Sequence, residues 1–339
     1  MRIGIVGCGG IALGYAAMLT QEGHDVVLWS PSGKGGEGLH GAEIEVSGIL
    51  DMRFRPVMAW DAQVLIDHAE VVIIAVPGYG HKAVIDAIVP FAKNGQTFIV
   101  SAELSLSATY LSQRLLARGV TAEVVAWATT ALMSRRSGPL SVSIGGIRTK
   151  LEAAVLPAGS DGSAIDICRD LFGERFTEVP DIMAIALSNL NPPIHLASAL
   201  CNFTRIEKAE YWANYDGITP SVARMIEALD AERLDVAKAY GVKVRTVHDH
   251  YHLTFGFEPG MTLADMAAAV HEKRKGPPGP VTTDTRFITE DVPFGIVPVI
   301  ALAERRGVVV PLHKAGLVVV NALYGRNFEN ANDLLSYVT

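Results

Sequence analysis

Cysteine is scarce: Cys8, Cys168 and Cys201 are the only three in 339 residues. They are too few for a disulfide framework and too scattered for a cysteine-rich metal site. A reducing setting, the cytoplasm, is therefore expected, and no metal. No stretch sustains the roughly 20 apolar residues that a membrane helix requires, so no membrane partner is expected either. Positive charge is thin as well. Lys and Arg total 29 against 36 Asp and Glu, a net charge of −7, and the one concentrated basic run is Lys273–Lys275. Phosphate backbones need a basic surface, which argues against a nucleic-acid partner. Internal repeats and low-complexity segments are missing too.

What is present is an ordinary folded composition, 49% hydrophobic and 19% charged, in a chain long enough for two domains. The first part alternates short β-rich runs with helical stretches. Ile3–Val6, Asp25–Trp29, Val71–Val76, Thr97–Val100 and Glu123–Trp127 read as strands. Ile11–Gln21, His81–Ala92 and Ser105–Arg118 read as helices between them. Continuous apolar runs such as "VVIIAV" suit strands buried on both faces, and β/α alternation implies a doubly wound, mostly parallel sheet. Ser141–Ile144 and Ala153–Leu156 are expected to close it as an antiparallel pair.

Beyond about Asp161 the pattern becomes helical: Ala164–Phe172, Ile182–Leu190, Ile194–Phe203, Ser221–Tyr240, Leu263–Lys273, Val297–Arg305 and Pro311–Tyr324. The expectation is an α/β, Rossmann-type dinucleotide-binding domain over residues 1–158, followed by an all-α substrate domain over 159–339. The boundary would fall in the loop Ala158–Ser163 and the active site in the cleft between domains, where such pockets tend to lie.

"IGIVGCGGIALG" carries Gly7-x-Gly9-x-x-Ala12 between a strand and a helix, which is the setting of a dinucleotide fingerprint. Its glycines sit at motif spacing, so the apolar N-terminal stretch reads as strand and helix rather than as a secretory leader. Gly7 permits the tight turn, Gly9 lets a pyrophosphate approach, and the amides around Gly10 and Ile11 open the helix toward the anion. Val76 and Pro77, closing "VVIIAVP", complete the expected cofactor contacts. An NAD site normally ends its second strand with an acid for the ribose 2′-hydroxyl. Here that place reads "LWSPSGKGG", with Ser30, Ser32 and Lys34 and no acid before Glu37. Hydroxyls and a lysine suit a 2′-phosphate, so NADP is favoured over NAD.

His195 lies one turn inside a helix that opens on a double proline, "NPPIHLA". By itself a histidine on an apolar helix is an ordinary core residue. Asp291 changes its meaning, because a carboxylate on one imidazole nitrogen fixes the tautomer and leaves the other for proton transfer. Arg286, five residues earlier, offers a fork matched to a carboxylate; it could equally pair with Glu290 or Asp291. The helix stretch with Asp230, Glu232, Arg233 and Asp235 reads as a solvated, ion-paired face. "HDHYH" (His248–His252) lacks the Cys or Glu that would complete a metal set.

Together these segments resemble the octopine/nopaline, or opine, dehydrogenase family along nearly the whole chain. The likeness rests on the fingerprint, "IIAVPGYGHKAV", "NPPIHLA", "YDGITPSVARMIEALDAERLDVAKAYG" and above all "RFITEDVPFG". It implies that His195 is the general acid/base, Asp291 its partner and Arg286 a substrate-binding arginine, with Asn191 and Thr130 also facing substrate. It implies an enzyme, expected as a homodimer, that condenses a 2-oxo acid with an amine or amino acid and reduces the imine with NAD(P)H. Two alternatives are a ketopantoate-reductase-like reductase of 2-oxo acids and a non-catalytic NADP(H)-binding sensor. The chain departs from the family pattern at Val124–Arg136, where Trp127, Thr129, Thr130 and Met133 replace an expected glutamate and Leu-Pro-Tyr-like stretch. A less polar amine would follow.

Overall fold

The computed structural model describes residues 1–339 apart from Asp161, Pro259, Lys275 and Thr339, and apart from the side chains of Arg274 and Val338. Asp161, in the expected boundary loop, and Lys275, in the basic run, thus lie outside the described residues. The chain forms two compact units, Met1–Ala186 and Leu187–Tyr337.

The first unit contains β1 (Arg2–Val6), α1 (Gly10–Gln21), β2 (Asp25–Trp29), β3 (Ile44–Gly48), β4 (Met52–Phe54), β5 (Val57–Met58), α2 (Ala62–His68), β6 (Val71–Ile74) and α3 (Gly78–Ile88). It continues through β7 (Thr97–Val100), α4 (Ser107–Ala117), β8 (Glu123–Trp127), β9 (Leu132–Gly138), β10 (Ser141–Ile147), β11 (Leu151–Leu156), α5 (Ser163–Phe172), β12 (Phe176–Glu178) and α6 (Ile182–Ala186). An eight-stranded sheet runs β12-β11-β8-β7-β6-β1-β2-β5. All its neighbours are parallel except β11 against β8. The chain leaves β1 toward β2 on one side and returns to β6 on the other. The switch point therefore lies between β1 and β6, where doubly wound sheets bind ligands beyond the strand ends.

A second, four-stranded sheet, β4-β3-β10-β9, is not among the sequence expectations. It corrects the expected pairing of Ser141–Ile144 with Ala153–Leu156. Ser141–Ile147 pairs instead with β9 and β3, while Leu151–Leu156 joins the main sheet against β8. The physical reason lies in α1. Residues Ala12 to Leu19 are all buried, because the helix packs on β1 and β2 and also on β9 and β10. A helix apolar on all sides needs cover on all sides, and the small sheet supplies it. Gly10 and Gly14 permit the close approach: a Cβ on Gly10 would overlap the Arg135 backbone, and one on Gly14 would lie 2.7 Å from the Ser134 Oγ.

Within the first unit, Tyr15, Trp127, Phe172 and Phe176 form an edge-to-face and tilted cluster, so the helix α5 belongs to this core. The second unit is helical: α7 (Asn191–Cys201), α8 (Phe203–Glu207), α9 (Pro220–Ala239), α10 (Val247–Phe255), α11 (Leu263–Arg274), α12 (Arg286–Thr289), a π-turn at Val292–Ile296, α13 (Val297–Arg306), α14 (Pro311–Tyr324) and α15 (Leu335–Val338). The long helix α9 packs on α7, α11, α13 and α14.

Candidate active site

In the first unit the fingerprint forms the turn from β1 into α1. Gly7 has φ +119°, and a Cβ there would meet the Ala75 carbonyl oxygen at 2.5 Å and the Val76 side chain at 3.2 Å. The ends of β1 and β6 are thus pressed together at the switch point. Gly9 is exposed, and nothing lies within 4 Å of where its Cβ would be. The helix that follows has no side-chain N-cap and no acid in its first turn, so among the described residues no side chain caps its positive dipole end or the amides of Gly10, Ile11 and Ala12. Pro77 starts α3 in the same way, without a side-chain cap. Ser30 follows the end of β2, half-buried, while Ser32 and Lys34 are exposed. This open, uncapped amide cradle fits a dinucleotide pyrophosphate.

Beside it lies a buried polar chain that sequence reading did not detect. Glu103, Ser107 and His81 are at most 3% exposed. The Ala108 amide donates to Glu103 Oε2 at 3.0 Å, and the Ser107 hydroxyl lies 3.3 Å from both Glu103 oxygens. His81 Nδ1 is 2.8 Å from the same hydroxyl, and His81 Nε2 is 3.1 Å from the Val76 carbonyl. That carbonyl requires a proton on Nε2. The remaining protons satisfy the chain either as neutral Glu103 with neutral His81 or as carboxylate with imidazolium. Both arrangements hold one more proton than an ionised acid beside a neutral ring. The turn carrying Glu103 holds Ala102, Ser105 and Leu106 at φ 70°, 55° and 58°, a left-handed conformation that costs about 1 kcal/mol or more per residue.

In the second unit, His195 Nδ1 and Asp291 Oδ2 are 2.7 Å apart, with side chains 19% and 11% exposed. The Phe287 ring stacks on the imidazole, centroids 3.7 Å apart and planes 8° from parallel. Nδ1 is thus engaged and one ring face covered, while Nε2 has no hydrogen-bond partner among the described residues. Close packing sets this geometry. A Cβ on Gly295, in the π-turn after Asp291, would overlap the Pro192 ring. One on Gly316 would lie 2.8 Å from the Leu196 Cδ2. The histidine helix α7 is therefore seated against two glycines. Arg286 Nε donates to Glu290, whose carboxylate is buried while the arginine side chain is 77% exposed. Each of the adjacent acids, Glu290 and Asp291, has its own cation or imidazole.

Comparison with known proteins agrees with both units. Residues 178–324 match the family described as NAD/NADP octopine/nopaline dehydrogenase, alpha-helical domain. Residues 3–154 match the ketopantoate reductase PanE/ApbA family. An opine dehydrogenase from Arthrobacter sp. strain 1C is 27% identical over 335 residues, covering 96% of this chain and 91% of that protein. The chain is similar to the opine dehydrogenases over nearly its whole length, and like them it is an NAD(P)-dependent oxidoreductase. Its fold is that of octopine dehydrogenase solved with NADH and L-arginine (TM-score 0.80, 18% identity, 96% of this chain and 90% of that one). It is also that of yersinopine dehydrogenase with NADP+ (TM-score 0.74, 15% identity, 99% and 97%).

The remaining expected residues fall as follows. Asn191 is exposed at the first position of α7. Thr130 follows β8 in the first unit; its hydroxyl donates to the Leu132 carbonyl at 2.8 Å and its own carbonyl accepts from Arg148 Nε at 3.0 Å. Trp127 is fully buried in the aromatic core, so it does not line a substrate surface. His248 bonds Glu227 and His252 bonds the Phe257 carbonyl. The "solvated face" of α9 needs correction: Asp235 is exposed, but Asp230 and Arg233 are buried together and Glu232 receives the Leu312 and His313 amides at the start of α14. Helical spacing showed the pairing; which face turned inward depended on packing against other helices.

The buried chain at Glu103 carries a pH prediction. Burial pushes this carboxyl up to about 7, against the pull of the Ala108 and Ser107 groups. A raised acid pKa means that the folded protein keeps a proton the unfolded chain has released. Stability from this group is complete below the unfolded value near 4.5 and is lost as pH rises to about 7. A shift of that size corresponds to roughly 3 kcal/mol. Glu103→Gln removes the titration, so its stability relative to the parent should rise between pH 4.5 and 7 and then level off. Denaturant melts across that range measure it; a flat difference would mean that Glu103 does not bind the proton on folding.

Proposed function

We propose that this enzyme couples a 2-oxo acid with an amine or amino acid through an imine and reduces the imine to a secondary amine. The observation that carries this reading is the His195–Asp291 contact of 2.7 Å with the opposite imidazole nitrogen unpaired among the described residues. Asp291 holds Nδ1 protonated and stabilises the charged ring. His195 Nε2 moves the proton at the substrate nitrogen and oxygen: it assists loss of water from the carbinolamine, and protonating the imine nitrogen makes its carbon a better hydride acceptor. Phe287 keeps the ring in one plane. Arg286, held by Glu290, orients a substrate carboxylate, and Asn191 and Thr130 are assigned to substrate contacts. Gly7, Gly9, Gly10, Ile11, Ala12, Val76 and Pro77 hold the cofactor, with Ser30, Ser32 and Lys34 favouring the 2′-phosphate of NADP. When bound, the nicotinamide supplies the hydride. Octopine dehydrogenase has been solved with L-arginine, agmatine and pyruvate, which supports an oxo acid and an amine as the two substrates.

A second reading, a 2-oxo acid reductase, is favoured by the ketopantoate reductase match over residues 3–154. Cofactor oxidation across a panel of 2-oxo acids, each with and without amines, separates the two. Turnover should require both partners and yield a secondary amine. Equal consumption without amine, with a hydroxy acid as sole product, would overturn the imine reading.

A further inference from the structure

Arg136 lies against the second-strand loop, outside the fingerprint segment. It projects from β9, in the small sheet, back toward the nucleotide turn. Its Nη1 reaches the Gly35 carbonyl at a long 3.4 Å and its Nη2 the Pro139 carbonyl at 3.1 Å. Nε is buried with no hydrogen-bond partner, and no carboxylate pairs with the guanidinium among the described residues. Its charge acts on the Cys8 thiol, inside the fingerprint, and the Ser30 side chain lies close to that same thiol. Positions for a Cβ on Gly35 lie 3.3 Å from Ser30 Oγ and 3.5 Å from Cys8 Cβ. Cys8, Ser30, Gly35 and Arg136 therefore share one small neighbourhood at the end of β2, where doubly wound folds read the adenosine ribose.

A cation half-removed from water with an unpaired buried nitrogen is costly. An acid at the end of β2 would have neutralised it, and none is there. We infer that Arg136 recognises the 2′-phosphate of NADP(H), reaching across from the second sheet to complete the site begun by Ser30. Its planar donors match phosphate oxygens better than Lys34, an exposed ammonium on a loop of glycines. This rests on the proposed NADP reading of the fingerprint, and it assigns the main source of the preference to a residue outside the fingerprint segment.

Dissociation constants for NADPH and NADH, read by quenching of intrinsic fluorescence on the full chain, test it without any turnover. Arg136→Gln should weaken NADPH by about 10- to 100-fold, as expected for charge-assisted bonds to phosphate, and change NADH by less than about twofold. Arg136→Lys should fall between, and a far-UV spectrum and melting curve confirm that both variants fold. Equal losses for the two cofactors would overturn the assignment and place Arg136 at the pyrophosphate or in the framework. Unmodified protein that binds both cofactors but prefers NADH would instead sink the NADP reading, and binding of neither would sink the fingerprint itself.

Discussion

His195→Ala is expected to lower kcat by about 10²- to 10⁴-fold, the usual cost of removing a positioned acid/base. Cofactor affinity should stay nearly intact, because the fingerprint belongs to the unit Met1–Ala186 and the histidine to Leu187–Tyr337. Asp291→Asn preserves volume and removes the charge that stabilises a protonated ring, so its effect should fall on kcat and on the pH profile. Arg286→Lys should chiefly raise KM for the carboxylate substrate, since one ammonium cannot reproduce a fork. The His195 and Asp291 losses should not add, because the two side chains share a 2.7 Å contact. Steady-state kinetics with cofactor titration on each folded variant decide the matter. A folded, cofactor-binding His195→Ala protein with near-parent turnover would make His195 a core histidine.

Much of the fold and of this site is legible in the amino-acid sequence, for identifiable physical reasons. Strands buried on both faces leave continuous apolar runs, so β2, β7 and β8 stand at their expected positions. The fingerprint is readable because a turn with φ +119° and a Cβ-forbidden contact at Gly7 admits little but glycine. The second sheet is not legible. Its strands, such as "LMSRRSG" and "IEVSG", are short and partly polar, and the first of these packs on α1. Such segments declare themselves only by long-range pairing. The same blindness hides the position of Arg136, which follows from β9 packing on α1. Glu103 and His81 are hidden differently: no spacing marks a chain of hydrogen bonds that joins the turn after β7 to the helix after β6. Phe287 stands inside "RFITEDVPFG", but its stacking on a ring 92 positions earlier comes from the packing of α12 against α7.

The largest stability effect is expected at Arg233. Four donor contacts radiate from this guanidinium, which is 1% exposed. Nε and Nη2 donate to Asp230 Oδ1 at 2.9 and 2.6 Å, Nη1 donates to the Leu187 carbonyl, and Nη2 to the Arg245 carbonyl at 2.6 Å. Asp230 Oδ2 in turn accepts the Val247 amide at 2.8 Å, fixing the start of α10. Burial lowers the arginine pKa and the Asp230 charge opposes that shift. Removing the cation strands a buried carboxylate and two backbone carbonyls, so Arg233→Ala should cost about 3–5 kcal/mol. Arg233→Lys should also be costly, because one ammonium cannot span contacts in a plane. Asp230→Leu with Arg233→Met tests what the pair itself contributes. Apolar replacement of a buried ion pair is often neutral, but here the Leu187 and Arg245 carbonyls and the Val247 amide would still lose their partners. The double variant should therefore be destabilised, by less than the sum of the single changes. Leu187 lies just before the histidine helix α7, so a folded variant should also lose kcat in proportion to any loosening there. Denaturant melts of the four proteins give the cycle; a double variant as stable as the parent would mean that the backbone groups find other partners.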